Sequence, residues 1–143
     1  MNIIVDADAC PSINLITEFA KNNKINLILY TDDTHNLVNE YATIKVLSKG
    51  YQSVDMAIAN EIKKNDILIT QDFGLATLAL THSAYAVHPK GMIYNNNNIE
   101  QLLFERYLNN KSRKQNIHIK GPKKRKEEDN TNLINSLKKC LNI

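Results

Sequence analysis

The sequence predicts one α/β domain, with a mostly parallel central sheet and helices on both of its faces. Short apolar runs of strand character alternate with segments of helical period, the pattern of strand–helix–strand units. The chain has 143 residues, the length of a single domain and enough to bury a core. Carboxylates also follow directly on two apolar runs: Asp6 and Asp8 after Asn2-Ile3-Ile4-Val5, and Asp72 after Ile67-Leu68-Ile69-Thr70. In an open parallel sheet such positions fall at the carboxyl edge, where ligands bind.

Residues 2–5 read as the first strand. A helix is expected over 12–22, with Pro11 near its first turn and Ile13, Ile16 and Phe19/Ala20 as its apolar stripe. Residues 25–30 and 43–47 read as the second and third strands. Val54, Ile58 and Ile62 recur every four residues and predict a helix over 53–63. Strand four (66–70), a helix (73–81) and a short strand five (84–87) follow. A turn at Pro89-Lys90-Gly91 and a β-segment over 92–94 precede the polar run of asparagines 95–98 and a helix over 99–112. Ile99, Leu102, Leu103 and Tyr107 are expected to form that helix's inward stripe. Arg106 falls on the same stripe, with Arg113 seven residues on, so Arg106 reads either as half of a structural ion pair or as a group reaching an acidic ligand or a substrate phosphate. Residues 113–130 read as a basic linker broken by Gly121-Pro122. A final helix over 131–142, with Leu133, Leu137 and Leu141 at helical spacing and Ile134 alongside, is expected to dock back on the body, so that 1–143 form a single domain. Right-handed crossovers leave few arrangements, and a flavodoxin-like strand order with the first strand central is expected.

Hydrophobic residues make up 43% of the chain, and no apolar run approaches the roughly 20 residues of a membrane helix. The N-terminus enters a strand without the basic start and apolar stretch of a signal peptide, so a cytoplasmic protein with no membrane partner is expected. Cys10 and Cys140 lie at opposite ends with no CxxC or zinc spacing, and reduced thiols are the expectation. Histidines 35, 82, 88 and 118 form no HExxH pattern and are not read as ligands. The net charge of +3 conceals a division. Residues 1–110 hold 8 Lys/Arg and 12 Asp/Glu, a net of −4, whereas residues 111–143 hold 10 and 3, a net of +7. An acidic body with a basic C-terminal segment suits a protein that holds cations in one place and phosphates in another. A solvated tail would have the same composition.

On this plan the carboxyl edge collects Asp6 and Asp8 from strand one, Asp32 and Asp33 from strand two, and Thr70 and Asp72 from strand four. Asp55 joins them, because a helix that follows strand three begins at that edge. Taken singly, Asp8 and Asp72 could each cap a helix and Asp55 could suit a helix dipole. Asp6, directly ending a central strand, is poorly explained by capping. Converging carboxylates repel one another and raise each other's pKa. Mg2+ or Mn2+ relieves that repulsion and prefers such oxygen ligands, and on this geometry Asp6, Asp8, Asp55 and Asp72 are the candidate metal ligands. Cys10, between the cluster and a helix start, is expected to pack as a small residue.

Val5-Asp6-Ala7-Asp8-Ala9-Cys10-Pro11 resembles the opening motif of the bacterial YaiI/YqxD family. The resemblance continues through residues 66–76, containing Thr70-Gln71-Asp72, through Gly91 to Tyr94, Asn98-Ile99, Arg106-Tyr107, Arg113 and Lys120-Gly121-Pro122, nearly the whole chain. That family is similar to the PIN-like group, which implies a three-layer PIN-like domain whose acidic site cleaves RNA or DNA, with ligands at the positions of Asp6, Asp8, Asp55 and Asp72. Two segments depart from the pattern. A proline-rich stretch is replaced by Lys123-Lys124-Arg125-Lys126, and the region after strand two is poorly matched, so Asp32 and Asp33 receive no role. The leading expectation is a divalent-metal-dependent nuclease acting on RNA, with Arg113, Lys120, Lys123, Lys124, Arg125 and Lys126 on the nucleic-acid backbone. The alternatives are a haloacid-dehalogenase-like phosphatase, with Asp6 as nucleophile and Thr31 as its hydroxyl group, and a non-catalytic RNA- or metal-binding module.

Overall fold

Strands β1 (Asn2–Asp6), β2 (Asn26–Asp32), β3 (Thr43–Leu47), β4 (Ile67–Ile69) and β5 (Tyr85–Val87) form one sheet in the order β3-β2-β1-β4-β5. Every pairing between them is parallel, and an antiparallel bridge joins Ile93 to Val87. The computed structural model describes residues 1–48, 53–114 and 124–143, the side chains of residues 9 and 112–114 excepted. Among the described residues five α-helices accompany the sheet: α1 (Ile13–Asn22), α2 (Val54–Glu61), α3 (Phe73–Thr81), α4 (Asn96–Lys114) and α5 (Glu127–Leu141).

Because successive strand residues point to opposite faces, the short central strands feed two cores at once. Ile3, Val5, Leu27, Leu29, Ile67 and Ile69 meet Ile16, Phe19 and Ala20 of α1 and Leu133, Leu137 and Cys140 of α5. Ile4, Tyr30, Leu68 and Ala86 meet Ala57 and Ile58 of α2, Leu75, Ala76 and Ala79 of α3, and Ile99 of α4. The result is a three-layer α/β domain with β1 central, as the alternation predicts.

The chain adds β3 outside β2 before crossing back beyond β1, giving 3-2-1-4-5 where the flavodoxin order proper is 2-1-3-4-5. Burial explains the placement. Ile67, Leu68 and Ile69 are all fully buried, as an interior strand requires. β3 carries Lys45 and leaves Thr43 and Val46 exposed, the character of an edge. The switch between outward and return crossovers therefore falls between β1 and β4.

The β-segment expected over 92–94 is reduced to the bridge at Ile93, and two helices differ from expectation. Among the described side chains of α4, Ile99 alone is buried and Asn98 and Leu102 are half-buried; Leu103 is 44% exposed and Tyr107 61%. Arg106 is exposed as well, so the expected inward stripe ends after Leu102 and no described carboxylate pairs with Arg106. The reason is reach: α4 meets the α3 side of the core through Ile99 and Leu102, and its apolar residues beyond Leu102 join neither core cluster. α5 begins at Glu127, earlier than 131. Glu127, Glu128 and Asp129 are its first turn, where negative charge suits the helix dipole, and the Lys126 N–H donates to Asp129 Oδ2 at 2.7 Å. Among the described residues no helix is long and apolar enough to cross a membrane.

Candidate metal centre

Asp6 ends β1 at the switch between β1 and β4, and register places it beside the β4 terminus, where Val5 pairs with Ile69. It starts a 3₁₀ turn (Ala7–Ala9) without capping it through its side chain. Thr70 ties the two strand ends together: its hydroxyl donates to Asp6 Oδ2 at 3.3 Å and accepts the Asp72 N–H at 3.0 Å. The Thr70 carbonyl is held in turn by the hydroxyl of buried Tyr94 at 3.1 Å.

Asp72 is the N-cap of α3. Its Oδ1 accepts the N–H groups of Gly74 at 2.8 Å and Leu75 at 3.2 Å. Both cap bonds fall on one oxygen, which leaves the second uncommitted to the helix. Capping and membership of the acidic cluster are thus compatible roles for one carboxylate. Asp55 sits in the first turn of α2, which Ser53 caps by accepting the Met56 N–H at 3.1 Å. Its carboxyl comes within hydrogen-bonding range of that of Asp72.

These groups feel one another. Burial raises the Asp6 pKa to about 6, assisted by the charges of Asp55, Asp8 and Asp72 and opposed by the Thr70 hydrogen bond. Partial desolvation and the neighbouring Asp72 also raise Asp55. A cleft of about 400 Å³ opens beside them, lined by Asp6, Gln71, Asp72, Phe73 and Arg106. The exposed guanidinium of α4 thus borders the same space as two of the carboxylates.

Asp8 faces another way. Thr31 Oγ1 donates to its Oδ1 at 2.5 Å and the Asp32 N–H lies 3.3 Å from the same oxygen. His35 Nδ1 is 3.3 Å from Asp8 Oδ1 and 2.9 Å from Asp32 Oδ1. Asp8, Asp32 and His35 bring one ligand atom each within 4.8 Å of one another. The hydroxyl and backbone bonds of Thr34, with His35, hold the Asp32 pKa down to about 2, and Asp32 raises that of His35. Asp32 and His35, set aside in the sequence, therefore join Asp8. Thr31 faces Asp8 rather than Asp6. Cys10 is half-buried against the α1 side of the core, and burial pushes its thiol pKa up, in keeping with a packing role.

Of the basic residues expected on nucleic acid, Lys124 and Lys126 are exposed. Arg125 is half-buried and docked: its Nε donates to Asn130 Oδ1 at 2.9 Å and Nη1 to the Pro89 carbonyl at 2.7 Å. Arg113 belongs to the last turn of α4, and its side chain lies outside the description. Lys120 and Lys123 lie outside the described residues.

The Asp6 shift has a measurable sign. A carboxyl whose folded pKa is raised binds its proton more tightly in the native state, so its contribution to stability is present at low pH and lost as pH rises from the unfolded value toward about 6. Between pH 4 and 6.5, metal-free wild type should lose about 1 to 2 kcal/mol relative to Asp6→Asn, after allowance for solvent screening of a partly exposed group. Chemical denaturation of both proteins across that range tests this, and the difference cancels the opposed contributions of His35 and His88. Parallel profiles would mean that Asp6 does not carry the repulsion.

Residues 4–143 match the family model described as "Uncharacterized BCR, YaiI/YqxD family". A UPF0178 protein of Clostridium novyi (strain NT) is 49% identical over 142 residues, 99% of this chain and 95% of the relative. One of Clostridium tetani is 49% identical over 96% of this chain and 94% of its own length, and one of Lachnoclostridium phytofermentans 43% identical over 99% and 97%. No solved structure matches the chain.

Proposed function

The chain belongs to the YaiI/YqxD family, and from the site it carries we propose that it is a divalent-metal-dependent phosphodiesterase with RNA as its substrate class. One observation carries the reading: Asp6, Asp55 and Asp72, from three different elements, lie close enough at the topological switch of a parallel sheet that Asp55 and Asp72 disfavour the charge of Asp6, and Asp72 that of Asp55. Carboxylates gathered at a cost to each other are what a hard cation stabilises.

The donor set fits Mg2+ or Mn2+. It is all carboxylate oxygen, and two of its members, Asp6 and Asp72, line the cleft. Asp6 and Asp72 would be the principal ligands, with Asp55 beside Asp72 and Asp8 at the margin. Such an ion, when bound, polarises a phosphoryl oxygen and lowers the pKa of a water molecule. The chain's own groups do the rest. Thr70 fixes Asp6 and Asp72 relative to each other. Arg106, across the cleft from both, supplies a guanidinium suited to the non-bridging oxygens of a phosphodiester. Exposed Lys124 and Lys126 add backbone attraction without sequence preference.

The test is cleavage of single-stranded RNA by chelated protein given Mn2+ or Mg2+, against the same protein in EDTA. A metal-dependent rate at least about tenfold above the chelated baseline is expected. Equal rates would sink the reading, and salt-sensitive binding without cleavage would select a binding module in its place.

A further inference from the structure

A second cavity lies on the α1 side of the acidic centre, about 390 Å³ in volume, walled by Cys10, Ser12, Asn14 and Leu15 on one side and Arg125 and Asn130 on the other. Two of its walls hold polar groups whose hydrogen-bonding capacity is unspent. Arg125 places Nε and Nη1 on Asn130 and Pro89, but its Nη2 is buried without a partner among the described residues. Ser12, the N-cap of α1, is only 7% exposed, yet its hydroxyl makes no cap hydrogen bond to the first turn. The first intrahelical bond closes at Ile16, whose N–H donates to the Ser12 carbonyl at 3.1 Å. The N–H groups of residues 13–15 thus begin a ten-residue helix with the positive end of its dipole toward the cavity.

Arg125, with its unpartnered Nη2, Ser12, with a hydroxyl free of the helix cap, and the first turn of α1 line one space with no carboxylate among its lining residues. We propose that this cavity binds a tetrahedral oxyanion of the phosphate class, whose several acceptor oxygens meet Nη2, the Ser12 hydroxyl and the first-turn N–H groups together. A carboxylate has only two oxygens for these donors. The volume exceeds that of phosphate alone, so a phosphoryl group on an organic carrier fits as well as the free ion. The site stands apart from the reading of the acidic centre: Asp6 and Asp72 line the neighbouring cleft and not this one.

The experiment is a titration of the full chain with inorganic phosphate at constant ionic strength, read by melting temperature and by the amide resonances of Ile13, Asn14 and Leu15. Wild type should show a saturable rise in melting temperature and shifts confined to that turn, absent with chloride. Arg125→Gln should weaken phosphate at least about tenfold. Because that change also loosens the hold on Pro89, a second variant is needed. Asn14 is exposed at the second position of α1, so Asn14→Asp favours the helix dipole while placing a negative charge at the cavity. It should keep the phosphate-free melting temperature and lose the response. No saturable response in wild type, or an undiminished one in Asn14→Asp, overturns the proposal. Single-stranded oligonucleotides with a 5′-phosphate or a 5′-hydroxyl, offered to Asp72→Asn, separate the sources. Tighter binding of the phosphorylated strand assigns the site to a nucleic-acid end, and equal binding alongside an intact phosphate response assigns it to the free ion.

Discussion

Asp6→Asn should lower Mn2+-dependent RNA cleavage by about 100-fold or more while leaving the metal-free melting temperature at neutral pH equal to or above wild type. The two halves of this result come from the same geometry. Asp6 is pushed up to about 6 by burial and by the charges of Asp55, Asp8 and Asp72, so its ionised form is a burden on the empty fold at pH 7. An amide of the same shape removes that burden and keeps an oxygen for the Thr70 hydroxyl. It also removes one charged ligand from the cluster. Mn2+ should therefore raise the wild-type melting temperature more than that of the variant, since a ligand stabilises only in proportion to its occupancy of the native state. Cleavage retained by the variant would dispose of Asp6 as a ligand. A collapse in stability would instead identify Asp6 as a structural residue, like Asp66. That carboxylate is 3% exposed and ties the start of β1 to the loop before β4 by accepting the N–H groups of Asn2 and Lys63, both at 2.9 Å.

Such a contrast could be anticipated in part from the chain alone. Asp6, Asp55 and Asp72 were legible because each follows from a local rule. Two sit one to three residues past an apolar run, and the third sits in the first turn of a helix that follows a strand. Parallel topology sends all such positions to one edge. For the same reason the bounds of β3 and α3 match the predicted 43–47 and 73–81: apolar spacing over five to nine residues carries its own period.

What escaped prediction depends on contacts that spacing does not encode. Asp32 was expected at the same edge as Asp8, but the turn after β2 also brings His35 onto both through irregular backbone, and no periodicity announces that. The exposed half of α4 has the helical spacing of a buried stripe. Its exposure follows from where the α3 side of the core ends, a property of other segments. The place of β3 at the edge was written more plainly than the strand order assumed, since Lys45 and the half-apolar pattern of residues 43–47 mark an edge strand. The Arg125 cavity joins residues more than 110 positions apart and exists only once α5 has docked.

Gly91→Ala tests that docking, with an expected loss of about 3 kcal/mol or more and a fall in melting temperature of roughly 10 °C. Gly91 has φ +103°, a conformation open to glycine and strained for alanine. A Cβ there would lie 2.6 Å from both the backbone carbon and the Cβ of Asn132 and 2.8 Å from its carbonyl oxygen. These are atoms of a helix, so no side-chain rotation relieves the clash. Either α5 moves or the turn does. The Gly91 carbonyl also accepts the Ser136 hydroxyl, which means that the turn and the helix are joined where the methyl would enter. Moving α5 uncovers Leu133 and Leu137, both fully buried against the α1 face of the sheet, and that exposure makes the penalty larger than backbone strain alone. The same shift would draw Asn130 and Arg125 away from α1, so residual folded Gly91→Ala should lose the phosphate response. Its Mn2+ response should persist, because Asp6, Asp55 and Asp72 are held by β1, α2 and α3 and none by α5. A melting temperature within about 2 °C of wild type would mean that α5 does not pack on Gly91 as described, and would remove the ground for a cavity between α1 and Arg125.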